Sequence, residues 1–481
     1  MNTYLAIDLG TSNCRSAVFN EKMELLSISS QEYPLFSISA EEIEQDAEDY
    51  WQAAKATIRR AVEEAGEAGR AVAGISISSQ GITFIPVDES GKPLDRAISW
   101  LDTRAVCEEA AVEDAYGLEE IFRVTGKRAN GCYTLSKLMW YRQARRDIYE
   151  KAYRILLPMD YLIFRLCGRP VTDHTMAAGT MFYDIGVQDW SEKFLAEQKL
   201  DREKLPEICW AGTAAGKIDP ALADELGLSH DVVIAVGAQD QKCASLGAGI
   251  SSSVATASLG TASCIERLSD RPIADARQRI PLFSYLWPGA WAFEGIVNTA
   301  ASSYQWFRNN FAKGISYPEL DVLAAEADKK GERCFFFPYL AGMTAPFWGD
   351  MPAGFTDLSL ATDTGQLAMA VMDGVACNIR ANLEVIEEVT GASEELRLFG
   401  GGAVSPFWCR HVADITGKRV VTLRSPETAL AGAAMLACKA VEGDFPKLDQ
   451  TDQVYEPDAV HAAVYEEYYQ KYLKKMEGHF S

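Results

Sequence analysis

The chain has 481 residues, too many for one ordinary hydrophobic core, so two domains with a cleft between them are expected. Its 68 acidic and 46 basic residues give a formal net charge of −22, which disfavours nucleic acid or an anionic membrane as the main partner. The 11 cysteines are scattered and never spaced as CxxC, and no apolar run is long enough to span a bilayer. A soluble cytoplasmic protein with reduced thiols is therefore predicted.

Strand-like runs alternate with helical patterns, which is typical of an α/β protein with partly parallel sheets. Strands are predicted at "YLAID" (4–8) and "VAGISIS" (72–78), with a helix over residues 47–65 between them. The small-residue segment "SLGAGISSSVATASLGT" at 245–261 is the best domain boundary, giving domains 1–248 and 249–481. An amphipathic helix over 461–476 closes the chain.

The first strand runs into a turn dense with polar groups, "DLGTSNCR" at residues 8–15. Gly10 permits a tight hairpin. The donors suited to phosphate oxygens are the amides and hydroxyls of Thr11, Ser12 and Asn13, joined by the guanidinium of Arg15. Asp8 could hold magnesium through water, but an ordinary hairpin with Asp8 as a turn residue is an equal alternative.

A faint repeat supports phosphate binding. The segment "AIDLGTSN" at 6–13 resembles "TASLGTAS" at 256–263, so each half begins with a strand, a Leu-Gly-Thr turn and small hydroxyl residues. This pattern predicts two duplicated α/β domains facing one another. Neither GxxxxGK[ST] nor a GxGxxG after a strand occurs, so a pair of hairpins would have to hold the phosphates.

Three further stretches carry candidate chemistry. In "VVIAVGAQDQKC" at 232–243, Asp240 follows a buried strand at the point where a helix should start. The helix dipole would keep its carboxylate ionised, so that it could accept a proton from a hydroxyl. An aspartate that only caps the helix is the simpler alternative. In "SWLDTRA" at 99–105, Trp100 and Asp102 suit a polyol, although a core tryptophan beside a surface acid is as common. "LFGGGAVSPFW" at 398–408 would let a ligand lie on backbone. The five histidines show no ligand spacing, which disfavours a metal site or a catalytic triad built on them.

Taken in order, "DLGTSNCR", "SWLDTRA", "YTLSKLMW", "VGAQDQ", "SLGTAS", "FEGIVNTAASSYQWF" and "RLFGGGAVSPFWCRHVADITG" resemble the successive blocks of the FGGY family of carbohydrate kinases, xylulokinase-like branch, from about residue 4 to about residue 440. The resemblance implies two actin-like (ribonuclease H-like) domains with ATP in the cleft. It makes Asp240 the catalytic base and Asp8 the magnesium ligand. The ATP site it implies comprises Gly10, Thr11, Ser12, Asn13, Arg15, Gly260, Thr261, Gln305, Gly401, Gly402 and Ser405. The sugar site it implies comprises Gln80, Gly81, Trp100, Asp102, Asp240 and Gln241.

Departures from the family pattern bear on the substrate. Glycerol kinases carry an Arg-Glu pair where Gly81 and Ile82 follow Gln80 here, and a substrate tyrosine where this chain has Cys132. The Met-His pair of xylulose kinases is absent from the same loop. A ketopentose such as xylulose is still favoured, with erythritol, ribulose, gluconate and glycerol as alternatives.

ATP and Mg²⁺ are the implied cofactors, and a homodimer is a family expectation. Two rivals are an actin-like ATPase acting as a chaperone or filament subunit, and a catalytically silent sugar sensor. A damaged hairpin or missing base would mark the sensor, and the sequence shows neither.

Overall fold

The computed structural model describes residues 2–331, 333–446 and 449–480, except for the side chains of residues 479 and 480. The strands of the first half are β1 Thr3–Leu9, β2 Asn13–Phe19, β3 Leu25–Glu32, β4 Phe36–Ser37, β5 Ile43–Gln45, β6 Val72–Ser79, β7 Ile85–Val87, β8 Ala97–Ile98, β9 Arg154–Leu156, β10 Val171–Asp173, β11 Tyr183–Asp184, β12 Asp189–Trp190, β13 Glu207–Cys209, β14 Ala214–Lys217, β15 Val233–Ala235 and β16 Ala238–Gln239. Those of the second half are β17 Val254–Ser258, β18 Ser263–Ser269, β19 Leu282–Ser284, β20 Trp291–Val297, β21 Phe335–Phe337, β22 Gly354–Thr356, β23 Glu395–Phe399, β24 Arg419–Leu423 and β25 Thr451–Tyr455.

Helices connect and cover these strands. They are α1 Ala47–Ala65, α2 Glu67–Arg70, α3 Val106–Tyr116, α4 Leu118–Thr125, α5 Thr134–Ala144, α6 Arg146–Lys151, α7 Pro158–Cys167, α8 His174–Ala178, α9 Glu192–Glu197, α10 Pro220–Leu226, α11 Asp240–Ala248, α12 Ala301–Phe311, α13 Tyr317–Asp328, α14 Thr364–Thr390, α15 Pro406–Thr416, α16 Thr428–Glu442 and α17 Ala459–Phe480, with single 3₁₀ turns at Arg202–Lys204 and Gly401–Val404. In the part of the chain that is described, no helix combines the length and the apolar character needed to cross a membrane.

Two large sheets carry the same strand order. In the first half, β3, β2 and β1 are antiparallel neighbours, and β6 and β15 continue from β1 in parallel. In the second half, β20, β18 and β17 are antiparallel neighbours, and β23 and β24 continue from β17 in parallel. This repeated order confirms the predicted duplication and the α/β class.

The first-half elements form where the sequence pattern placed them. β1 is buried along its whole length, as a continuous apolar run in a central strand should be. α1 covers the sheet with one apolar face, and the carboxylate of Asp46 accepts a hydrogen bond from the Glu48 amide at its start. The predicted strand at 72–78 and the predicted C-terminal helix are also confirmed.

The two halves share a packed contact between α11 and α16. A Cβ on Gly247 would lie 2.0 Å from the Thr428 carbonyl oxygen, and a Cβ on Gly432 would lie 1.9 Å from that of Cys243. Only glycine allows the two backbones to touch in this way. Beyond the crossing, α16 packs on β1 and β6 of the first sheet, so residues of both halves share one apolar cluster.

Candidate active site

Three polar residues and Ala238 are aligned near one end of four neighbouring strands of the first sheet. Arg15 pairs with Asp8, Asp8 with Ser78, and Ser78 with Ala238 across β2, β1, β6 and β16. An Nη of Arg15 lies 2.6 Å from Asp8 Oδ2, and the Ser78 hydroxyl donates to Asp8 Oδ1 at 2.9 Å. Asp240 follows β16 directly. The sheet therefore brings Asp240 close to Asp8 and Arg15 at one end of these strands, although more than 200 residues separate Asp240 from both in sequence.

Asp240 is the first residue of α11, and its Oδ1 accepts a hydrogen bond from the Gln241 amide at 2.8 Å. Burial, and then the charge of Asp8, raise the pKa of Asp240 from 3.8 to about 7. Near neutral pH the carboxyl is therefore only partly ionised, because these two effects outweigh the helix amides that were expected to keep it fully ionised. A carboxyl that titrates near neutral pH is well matched to accepting a proton.

The first predicted hairpin is held from three sides. The Gly10 amide closes it on the Asn13 carbonyl at 3.0 Å, and the Tyr33 hydroxyl donates to the carbonyl oxygens of both. Gln45 donates to the Thr11 carbonyl oxygen at 2.7 Å, and the Trp100 indole donates to the Thr11 hydroxyl at 2.9 Å. Ser12 at the tip is exposed. The turn is thus rigid at its base and open at its tip.

The second predicted hairpin joins β17 and β18. The Gly260 carbonyl accepts from the Ala301 amide at 2.8 Å, and the Thr261 carbonyl accepts from the Ala300 amide at 2.9 Å. Thr261 itself is exposed. The hairpin therefore rests on the start of α12, and Gln305 lies on the exposed face of that helix.

The predicted adenine segment lies next to that hairpin. The Gly402 amide donates to the Leu259 carbonyl at 2.8 Å, and a Cβ on Gly402 would come within 2.6 Å of Leu259 Cγ. Gly401, in contrast, faces open space, since a Cβ added to it would have no neighbour within 4 Å. Ser405 caps α15 by accepting from the Trp408 amide and donates to Asp321 at 2.7 Å. Its hydroxyl is therefore engaged within the protein.

The predicted sugar residues divide into two groups. Gln80 and Gly81 follow β6, and Gly81 lies against Gln239, whose Cγ is 3.5 Å from a Cβ placed on that glycine. Asp102 behaves differently: it is fully buried, and its carboxylate accepts from the Ile43 amide and from Arg104, with 2.7 Å to the nearest Nη. This arrangement does not support the predicted contact between Asp102 and a polyol. Asp102 instead fixes the loop that carries the exposed Trp100.

Gln239 and Gln80 each bury a side-chain carbonyl oxygen that has no hydrogen-bond partner among the described residues. Buried acceptors without a partner are costly, so they point to a ligand or water that supplies hydrogens. Gln239 was not among the predicted residues, although it directly precedes Asp240 in "VGAQDQ". Glu427, whose Oε2 lies 2.5 Å from Arg15, could not be predicted because 412 residues separate the two.

Known proteins share this architecture and order of elements. The N-terminal domain of the FGGY family of carbohydrate kinases matches residues 3–247, and the C-terminal domain of that family matches residues 255–441. Xylulose kinase from Lactococcus lactis is 28% identical over 482 residues, covering 98% of this chain and 95% of its own. Gluconokinase from Bacillus subtilis is 27% identical over 468 residues, covering 94% and 90%.

Solved structures agree. A crystal structure of a protein described as a xyloylose kinase from Brucella ovis superposes with a TM-score of 0.92 at 27% identity, covering 99% of each chain. The predicted fold class, two actin-like (ribonuclease H-like) domains, is confirmed. Because the two family domains together span nearly the whole chain, the protein belongs to the FGGY family of carbohydrate kinases.

Proposed function

We propose that this protein transfers the γ-phosphoryl group of ATP to a hydroxyl of a small sugar, with a ketopentose such as xylulose as the favoured substrate. The observation that carries the proposal is Asp240. It stands at the start of α11, beside Asp8 and the first hairpin, with its pKa raised to about 7. A base at this position can act on a hydroxyl directed at a phosphate held by the hairpins.

In the proposed reaction, Asp240 orients the substrate hydroxyl and accepts its proton. The hydroxyl oxygen forms a bond to the γ-phosphorus while the bond from that phosphorus to the β–γ bridging oxygen breaks, and ADP leaves with that oxygen. The backbone amides of the two hairpins, at Thr11 and Ser12 and at Gly260 and Thr261, would hold the phosphate oxygens. Closure of the cleft excludes water, which would otherwise compete with the sugar.

Asp8 fits the role of magnesium ligand. Its carboxylate oxygens are the hard donors that Mg²⁺ prefers, and only the Arg15 guanidinium and the Ser78 hydroxyl now bind them among the described residues. The charge of Asp8 also raises the pKa of Asp240, a repulsion that a divalent cation would relieve. Bound there, magnesium would neutralise charge on the transferring phosphoryl group.

The sugar site is proposed at Gln80, Gly81, Trp100, Asp240 and Gln241, with Gln239 added from the structure. The unpartnered carbonyl oxygens of Gln80 and Gln239 suit hydroxyl donors, and the exposed Trp100 offers an apolar face to a carbon chain. Adenine would lie on the backbone at Gly401 and Gly402. The relatives' names, xylulose kinase and gluconokinase, support small open-chain sugars as the substrate class.

Sugar-dependent ADP formation, measured across ketoses, aldonates and polyols, tests the proposal. Turnover that needs a sugar, and is fastest with a ketopentose, supports it. If turnover is fastest with gluconate, erythritol or glycerol, the kinase activity is supported and the favoured substrate is wrong. ATP hydrolysis that no sugar accelerates would instead favour an actin-like ATPase.

Two further expectations accompany the proposal. A cytoplasmic location fits the eleven cysteines, all of which are free thiols. A homodimer rests on the family resemblance, and size-exclusion chromatography with light scattering would test it.

A further inference from the structure

A buried ion cluster joins the two halves next to the proposed base. Lys242 lies two residues after Asp240 on α11 and is fully buried. Its ammonium group binds Oε1 of Glu266 on β18 and Oε2 of Glu294 on β20. Glu266 and Glu294 are themselves direct partners on neighbouring antiparallel strands. A lysine from the first half therefore stands between two carboxylates of the second half.

The three ionisable groups depend on one another. Burial alone would lower the pKa of Lys242, but the two carboxylates raise it above its usual value, so the ammonium stays charged. Two carboxylates facing each other inside a protein repel strongly unless a cation lies between them. Lys242 thus supplies an ammonium group that binds both buried glutamates at this point of the sheet.

The cluster also touches the segments that carry the second hairpin. β18, which contains Glu266, begins directly after that hairpin. β20, which contains Glu294, leads toward α12, and the amides of Ala300 and Ala301 at the start of that helix bind the Thr261 and Gly260 carbonyls. One side chain on the helix of Asp240 is therefore linked to both supports of Gly260 and Thr261.

We propose that Lys242 is a positioning residue for phosphoryl transfer: by binding Glu266 and Glu294, it fixes the first turn of α11, and with it Asp240, relative to the second phosphate hairpin. The inference rests on the proposed role of Asp240. The enclosed ammonium group does not itself meet the substrate. Its effect is on the distance and direction between the base and the phosphate, to which phosphoryl transfer is sensitive.

The test compares three variants of the full-length protein. Lys242→Met removes the ammonium group and leaves two buried carboxylates, so it also destabilises the fold. The triple variant Lys242→Met, Glu266→Gln, Glu294→Gln replaces all three ionisable groups with neutral side chains, so it should recover stability without restoring the link. The matched control is Arg333→Met, which breaks another enclosed ion cluster, with Asp328 and Asp373, outside the proposed site.

We expect the triple variant to melt closer to wild type than Lys242→Met does, yet to lose roughly 10- to 100-fold in kcat. Its KM for the best wild-type sugar should stay within about threefold, because the sugar contacts remain. Arg333→Met should lower the melting temperature with kcat almost unchanged at about 20 °C, well below its unfolding transition. A triple variant with wild-type kcat, or an equal loss of kcat in Arg333→Met, would overturn the proposal.

Hydrogen exchange gives a readout that needs no turnover. The amides of residues 240–244 should exchange faster in the triple variant than in wild type, while those of α15 stay the same. Unchanged exchange of the amides of residues 240–244 would show that the contacts of Lys242 do not fix the start of α11. If wild type shows no sugar-dependent turnover, the proposed function fails, whereas this exchange result still decides whether Lys242 fixes the helix.

Discussion

Arg15 of the first half and Glu427 of the second half form an ion pair, with 2.5 Å between a guanidinium nitrogen and Oε2. Arg15 belongs to the strand after the first hairpin, and Glu427 stands immediately before α16 of the second half. The second terminal nitrogen of the guanidinium group, Nη2, binds Asp8. Arg15 therefore connects the proposed magnesium ligand of one half to a helix start of the other.

The two contacts of Arg15 should differ in strength. Because the Arg15 and Glu427 side chains are 29% and 24% exposed, Glu427→Gln should cost about 1 kcal/mol or less in unfolding free energy. Arg15→Gln also strips the more buried Asp8 of its cation, and should cost roughly 1.5–3 kcal/mol more. Urea unfolding of both variants measures the difference, and equal losses would contradict it.

Asp240→Asn should lower kcat by about 100- to 10,000-fold, because an amide cannot accept the proton. Sugar-dependent ADP formation by folded protein measures this loss. Asp219→Asn is the matched control, since Asp219 caps α10 by accepting from the Leu222 amide and lies outside the proposed site. Activity near wild type in Asp240→Asn would remove Asp240 from the mechanism.

The activity should fall on the acid side of neutrality. With a pKa of about 7, Asp240 in the ligand-free protein is protonated at lower pH and cannot accept a proton, so kcat/KM should drop about tenfold per pH unit below that value. A profile of kcat/KM from acid to mildly alkaline pH tests this. A profile that stays flat through the acid range would contradict it.

The same pKa makes a prediction about stability. Asp240 has a folded-state pKa of about 7 against an ordinary 3.8, so its favourable contribution is complete below about pH 4 and is lost as the pH rises through 7. Asp240→Asn should therefore melt higher than wild type at about pH 8, with the gap closing toward about pH 4. Thermal unfolding at both pH values measures it. A lower melting temperature on the alkaline side would show that the carboxylate is favourably paired.

Substituting Gly401 and Gly402 should have different effects, one on nucleotide binding and the other on stability. Gly402→Ala places a Cβ against Leu259, and overpacking of this kind costs about 1–3 kcal/mol. Gly401→Ala meets open space, so it should leave the melting temperature unchanged while raising the KM for ATP if adenine rests there. Unchanged ATP kinetics in folded Gly401→Ala would place the adenine elsewhere.

Local patterns predicted the elements well. β1, its turn and α1 could be predicted because apolar runs, glycine turns and helix caps act over a few residues. The duplicated plan could be predicted because both halves open with the same Leu-Gly-Thr turn, and the position of Asp240 because a strand end precedes a helix start.

The features that could not be predicted depend on contacts between residues that are far apart in the sequence. The partners of Lys242 lie 24 and 52 residues away, and Glu427 lies 412 residues from Arg15. Asp102 shows a different limit, since its binding by Arg104 depends on how the loop turns. The pKa of Asp240 likewise follows from burial and from the approach of Asp8, which sequence spacing does not fix.

The packing of α16 on β1 and β6 determines whether either half of the chain could fold as a separate fragment. Ala431, Ala434 and Leu436 on α16 share an apolar cluster with Tyr4 and Ala6 of the first strand. Cutting the gene between α11 and β17 would leave the first half with a bare apolar sheet face, and the second with an unshielded helix. Despite their repeated strand order, the halves are folding partners, and a fragment of either would be prone to aggregate.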